Sequence, residues 1–119
     1  MRGASVLVVD DDAPSLEIVA RMLESKGHRV TLALSAERAR AVLAALPFDA
    51  VLLDHVLPGA TGTQCLREFR ALTKAPLYIM SGYTDPEFQR DALLLGASGF
   101  LPKPLDFAAL GALLEALPG

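Results

Sequence analysis

Val6-Leu7-Val8-Val9 runs straight into Asp10-Asp11-Asp12. A continuous apolar run rich in β-branched residues marks a strand buried on both faces. The three acids that end it are the densest charge cluster in the sequence. The pattern returns at Ala50-Val51-Leu52-Leu53, which ends in Asp54, and at Leu77-Tyr78-Ile79-Met80, which ends in Ser81. Val30-Thr31-Leu32-Ala33 and Ser98 to Leu101 read as further strands. Between them lie helical segments. From Pro14 to Lys26 the apolar residues Leu16, Val19, Ala20 and Leu23 recur at helical spacing until Gly27. Ser35 caps a helix through Leu46, with Pro47 just beyond. Pro58-Gly59 makes a turn before a helix from Thr63 to Leu72. Asp85 or Thr84 caps a helix that begins at Pro86 and ends before Gly96. A last helix runs from Asp106 to Leu117. Five apolar strands alternating with five helices predict an α/β fold, an open five-stranded parallel sheet that is doubly wound.

Composition narrows the class. At 119 residues the chain is one domain, residues 1–119, long enough to bury a core without staples. It is 52% hydrophobic, yet no apolar run reaches the roughly 20 residues of a membrane span. The opening Met1-Arg2-Gly3-Ala4 leads too quickly into acids to be a signal peptide. Cys65 is the only cysteine, which excludes an intramolecular disulfide or thiolate cluster and fits a reducing cytoplasm. Cys65 itself reads as a small apolar filler on a helix. A net charge of −3 without a Lys/Arg run argues against nucleic acid as a direct ligand.

In doubly wound sheets, ligands bind outside the carboxyl ends of the strands. There the chain collects Asp10, Asp11, Asp12, Asp54 and Ser81, followed by Lys103-Pro104. Clustered carboxylates favour a hard divalent cation such as Mg²⁺, which bridges to phosphate oxygens. A carboxylate can attack phosphorus. Phosphoryl transfer needs positioning and positive charge, which a metal and Lys103 supply, and hydrogen bonds to the phosphoryl oxygens, which Ser81 can donate. Asp12 serves equally well as a turn residue or helix cap. No single residue carries the reading; the order acid, acid, hydroxyl, lysine on successive strand ends does.

Over nearly its whole length the sequence resembles the receiver domain of bacterial response regulators. Val6 to Asp12 is similar to that family's opening strand and acidic pair. Leu53-Asp54-His55-Val56-Leu57-Pro58-Gly59 resembles its phosphorylation motif. Ser81-Gly82 and Lys103-Pro104 stand at two further motif positions. The resemblance implies a flavodoxin-like sheet, strand order 2-1-3-4-5, with Asp54 as phospho-acceptor. It implies Mg²⁺ ligation by Asp11, Asp54 and the backbone carbonyl of Val56, with Asp10 acting through water. Lys103 would pair with the phosphoryl group or the Asp54 carboxylate, Ser81 would hydrogen-bond the phosphoryl oxygen, and Phe100 would be an aromatic switch without a hydroxyl. A cis Lys103-Pro104 bond is also implied.

The family's donors are histidine kinases or histidine phosphotransfer proteins. The implied docking face comprises Pro14, Ser15, Ile18 and Met22 of the first helix with Pro104 and Leu105. Ile18 and Met22 equally well widen the core stripe. The implied readout face is the fourth helix, fifth strand and fifth helix, where Leu93-Leu94-Leu95 suggest a homodimer. The chain is either stand-alone or a piece of a larger regulator or hybrid kinase. Departures from the pattern are also present. His55 replaces an apolar residue and, by alternation, points away from the pocket as a partly buried histidine. Pro102 stiffens the loop before Lys103. His28, at the start of a strand, is expected at the surface. Val56 and Tyr83 flank the site and predict slow self-dephosphorylation. The alternative is a haloacid dehalogenase-type phosphatase, which also uses an Asp nucleophile but needs a further acidic motif after its lysine. A receiver-like module that is not phosphorylated, or a nucleotide-binding protein, fits less well, because the acids and lysine are all present and no Gly-rich loop follows strand one.

Overall fold

The structure, a computed structural model, describes residues 3–57, 59–82 and 86–117. In chain order its elements are β1 (Ser5–Val9), α1 (Ala13–Ser25), β2 (Arg29–Ala33), α2 (Ala36–Ala45), β3 (Ala50–Asp54), β4 (Val56–Leu57), β5 (Ala60–Thr61), α3 (Gly62–Leu72), β6 (Leu77–Ser81), α4 (Pro86–Leu94), β7 (Gly99–Pro102) and α5 (Phe107–Glu115). Five strands form one parallel sheet in the order β2-β1-β3-β6-β7. Apart from the two-residue strands β4 and β5, this is the expected 2-1-3-4-5.

Side-chain alternation divides the core in two. Val6, Val8, Ala50 and Leu52 are buried with Leu16 and Leu23 of α1 and Leu110 and Leu114 of α5. Leu7, Val9, Val51 and Leu53 are buried with Leu43 of α2, Leu66 and Phe69 of α3, and Ala92 of α4. Val6–Val9 of β1 and Ala50–Leu53 of β3 are apolar throughout because both of their faces are covered. Cys65 is buried in the second cluster, as filler. Among the described residues no helix is long and apolar enough to cross a membrane.

Local chemistry sets the helix ends. The Ser35 hydroxyl accepts from the Arg38 N–H at 3.1 Å, as its capping position predicts. α3 begins at Gly62 rather than Thr63 because Thr61 and Gln64 form a reciprocal capping box, with bonds of 3.2 and 2.7 Å. α5 begins after Asp106, whose carboxylate caps it by accepting from Ala108 and Ala109. The expected caps Thr84 and Asp85, like Pro58 and Tyr83, lie outside the described residues. The antiparallel ribbon β4–β5, turning at Gly59 with φ +75°, was not expected from sequence.

His28 corrects the surface assignment. It is buried, and its Nδ1 accepts the Ala4 N–H at 2.9 Å. Gly27, at φ +90°, turns the chain, and Gly3 packs so closely that a Cβ there would lie 1.8 Å from the Gly27 carbonyl oxygen. That close approach carries the N-terminal backbone over the imidazole. His28→Leu therefore orphans a buried N–H and costs about 1–3 kcal/mol, read as a lower urea midpoint; a surface histidine would move it by under about 0.5 kcal/mol.

Candidate functional site

The ends of β1, β3, β6 and β7 each contribute a group. β1 delivers Asp10, whose own N–H donates to the Ala33 carbonyl of β2 at 3.1 Å. Asp12, the N-cap residue of α1, makes no side-chain cap bond; its N–H donates to Asp10 Oδ1 at 3.1 Å, and the Ser15 hydroxyl donates to its carboxylate. β3 delivers Asp54. Behind it, the His55 N–H donates to the Met80 carbonyl at 3.0 Å, extending the bond to β6. The Lys103 N–H donates to the Ser81 carbonyl at 3.0 Å, fixing the start of the β7–α5 loop against β6. The Lys103–Pro104 peptide bond is cis, as the resemblance implies.

The side chains converge. Lys103 Nζ lies 3.0 Å from Asp54 Oδ1 and 3.2 Å from Asp10 Oδ2. Asp10 and Asp54 are buried and Asp11 is exposed. Asp10, Asp11 and Asp54 each offer a carboxylate oxygen, all within 4.8 Å of one another. Asp54, His55, Val56, Ser81, Gly82 and Lys103 line an open cleft of about 350 Å³. Asp10, Asp11, Asp54, Val56, Ser81 and Lys103 are thus brought together, although Val56 turns its side chain largely to solvent, whereas Phe100 packs in the other core against Phe88.

The electrostatics are unbalanced. Burial holds the Asp54 carboxyl above the ordinary carboxylate range; the Lys103 hydrogen bond lowers it and the charge of Asp10 raises it again. For Lys103, burial opposes the charged form, but hydrogen bonds to Asp54 and Asp10 outweigh it and raise the ammonium above its usual value. One lysine shared by two carboxylates leaves them under-neutralised. With Asp11 the group carries a net −2, and a donor set made of hard carboxylate oxygens fits a divalent cation of the Mg²⁺ type.

Beside this cleft a second hollow, about 290 Å³, opens between α1 and the β7–α5 loop. It touches Asp10 and Lys103 and is bordered by Ser15, Ile18, Pro104 and Leu105. Ile18 is 57% exposed, so it lies off the core stripe of α1. Pro14 is exposed at the first turn and Met22 is half-buried farther along; neither borders the hollow.

On the other face of the sheet His55 packs edge-on against Phe88 of α4, with ring centroids 4.4 Å apart, and Phe88 lies 5.9 Å from Phe100 of β7. The alternation argument for His55 thus holds, and burial pushes its imidazole below the ordinary value against the pull of Asp54. The contact with Phe88 was not foreseen, because it depends on how α4 docks.

A family model described as the response regulator receiver domain matches residues 6–115. The chain belongs to that family. This receiver domain is 40% identical over 111 residues to the transcriptional regulatory protein ZraR of Escherichia coli K12, a match covering 92% of this chain and 25% of that protein. It thus spans about a quarter of that relative's length. It superposes on a two-component response regulator from Clostridium difficile with a TM-score of 0.91 and 26% identity, over 94% of this chain and 93% of that one. It superposes on the chemotaxis protein CheY4 of Vibrio cholerae with a TM-score of 0.90 and 28% identity, over 98% and 99%.

Proposed function

We propose that residues 1–119 form a single receiver domain in which Asp54 accepts a phosphoryl group and so switches a protein-interaction face. The observation that carries the reading is Lys103 Nζ held between Asp54 at 3.0 Å and Asp10 at 3.2 Å, on the ends of three different strands. Asp10, Asp11, Asp54 and the Val56 carbonyl would hold Mg²⁺, whose charge offsets that of the phosphoryl oxygens. An Asp54 carboxylate oxygen forms a bond to phosphorus as the donor's P–N bond breaks. The bonding pair leaves with the donor imidazole, which takes a proton. Lys103 stays charged and orients the acceptor oxygen. The Ser81 hydroxyl donates to a phosphoryl oxygen.

The donor is a histidine kinase or histidine phosphotransfer protein. Its docking face is the hollow bordered by Ser15, Ile18, Pro104 and Leu105, together with Pro14 exposed at the first turn of the same helix. An apolar floor that opens directly on Asp10 and Lys103 suits a partner bringing a phosphoryl group. The readout face is α4–β7–α5, where Phe100 is half-buried and Leu93 and Leu94 are 51% and 80% exposed; it serves for homodimerisation. The setting is the cytoplasm, with neither membrane nor nucleic acid as a direct ligand.

The domain is a switch and not a turnover enzyme. A phosphatase of the haloacid dehalogenase class needs another acid after its lysine. Asp106 is occupied as the cap of α5, and Glu115 ends that helix away from the strand ends. Treatment with acetyl phosphate and Mg²⁺, followed by mass spectrometry over time, separates the two. One phosphoryl adduct per chain is expected, lasting minutes or longer because apolar Val56, 61% exposed beside the cleft, gives attacking water no general base. A half-life of seconds would refute the slow lifetime. Sustained hydrolysis of a generic phosphate ester would refute the switch.

A further inference from the structure

We propose that His55 is a positioning residue that couples the Asp54 end of β3 to α4 through Phe88. The inference rests on the reading of Asp54 as phospho-acceptor. It begins with the backbone. Asp54 is paired with Met80 in the β3–β6 ladder, and the His55 N–H donates to the Met80 carbonyl at 3.0 Å. His55 therefore cannot drift independently of the acceptor, and a shift at the end of β3 is passed to its ring.

That ring meets α4. It lies edge-on to Phe88 at 4.4 Å between centroids and 64° between planes, within the range where aromatic pairs attract. Phe88 in turn lies 5.9 Å from Phe100 at 57°. Both phenylalanines are half-buried against the core shared by α2, α3 and α4. Three rings thus run from the residue after Asp54, through the first turns of α4, to β7.

The other end of α4 is held by a different device. The Arg70 guanidinium, at the end of α3, donates to the Gly96 carbonyl at 3.2 Å, to the Thr73 carbonyl at 3.0 Å and to the Ala75 carbonyl. A Cβ on Gly96, which sits at φ +114°, would come within 2.9 Å of the Arg70 side chain. The α4–β7 turn is thereby clasped to the α3–β6 connection. α4 is pinned at its C-terminal end and engaged near its N-terminal end by ring packing, the arrangement of a lever with a fixed pivot. Displacing the His55 ring changes the packing at the N-terminal end of α4, and Phe100 on the proposed readout face feels it through Phe88. The coupling is steric, so a flat ring of similar size supports it whether or not it titrates.

Amide NMR of the full chain, before and after saturation with Mg²⁺ and beryllofluoride, tests this. Wild type is expected to shift at Leu94 and Phe100. His55→Ala and Phe88→Ala are each expected to lose about half or more of that shift, and the double variant no more than the larger single loss, because the two residues act in one chain of contacts. His55→Phe is expected to restore it, which a merely structural role for the imidazole would not do. Full shifts in both alanine variants would overturn the proposal, as would failure of His55→Phe to restore them. Should His55→Ala not fold, Phe88→Ala and His55→Phe decide the matter between them. Absence of beryllofluoride binding in the wild type would instead overturn the acceptor reading, so the two failures are distinguishable.

Discussion

Asp54→Asn abolishes the phosphoryl adduct while leaving a folded chain that, without metal, is more stable than the wild type. The loss follows from chemistry: an amide oxygen is no nucleophile toward phosphorus, and of the two buried carboxylates that contact Lys103, Asp54 is the one that lines the cleft with Ser81. The gain follows from the unbalanced charge. Asp54 is buried, shares Lys103 with Asp10, and has its pKa raised by burial above the ordinary 3.8. Between 3.8 and that raised value the folded chain keeps a proton that the unfolded chain has released. The contribution of this group to stability therefore falls as pH rises through the window, and the penalty is fully present at neutral pH. Asparagine carries no such penalty. The expected gain is about 1 kcal/mol at pH 7, shrinking as pH approaches 3.8, and is measured by urea unfolding in EDTA. Mg²⁺ should stabilise the wild type more than the variant. An adduct surviving in Asp54→Asn would overturn the site, and a variant less stable at neutral pH than at pH 4 relative to wild type would overturn the electrostatic account.

Lys103→Met separates two quantities that a general disruption would move together. The ammonium stands where phosphoryl charge gathers, and removing such a donor costs about 10²- to 10³-fold in transfer rate. The same ammonium opposes a cation entering among Asp10, Asp11 and Asp54. Its side chain is 36% exposed, so solvent screens part of that repulsion; Mg²⁺ binding should tighten by about tenfold. Phosphorylation rate from acetyl phosphate and Mg²⁺ affinity by titration calorimetry are the two readouts. A parallel fall in both would show that Lys103 only holds the cleft together.

What could be read from sequence follows from which signals are periodic and which depend on docking. Val6–Val9 and Ala50–Leu53 announced buried strands because both faces are covered, and strand-end residues converge in any doubly wound sheet. Asp10, Asp11, Asp54, Ser81 and Lys103 were therefore legible before any coordinates. The β4–β5 ribbon was not, since two residues per strand show no period; the Thr61–Gln64 spacing is a capping-box signal that could have placed the start of α3. His28 was misjudged because its partner is a backbone N–H 24 residues away. The contact between His55 and Phe88 likewise arises only when α4 settles on the sheet.

The alternation of β3 has one more consequence. Leu52 belongs to the core beneath α1 and α5, as does Leu101, whereas Leu53, Phe88 and Phe100 belong to the core beneath α2, α3 and α4, with the His55 ring packed on Phe88. In the function proposed above, input and output run along opposite sides of a single ribbon of backbone. A lineage can change Ile18 or Leu105 to answer a different upstream signal without disturbing the ring contacts, and can redesign Leu93 or Leu94 for a different listener without touching the acids. The pleat of one strand keeps the two sets of contacts on separate faces and joins them at the Asp54–His55 step.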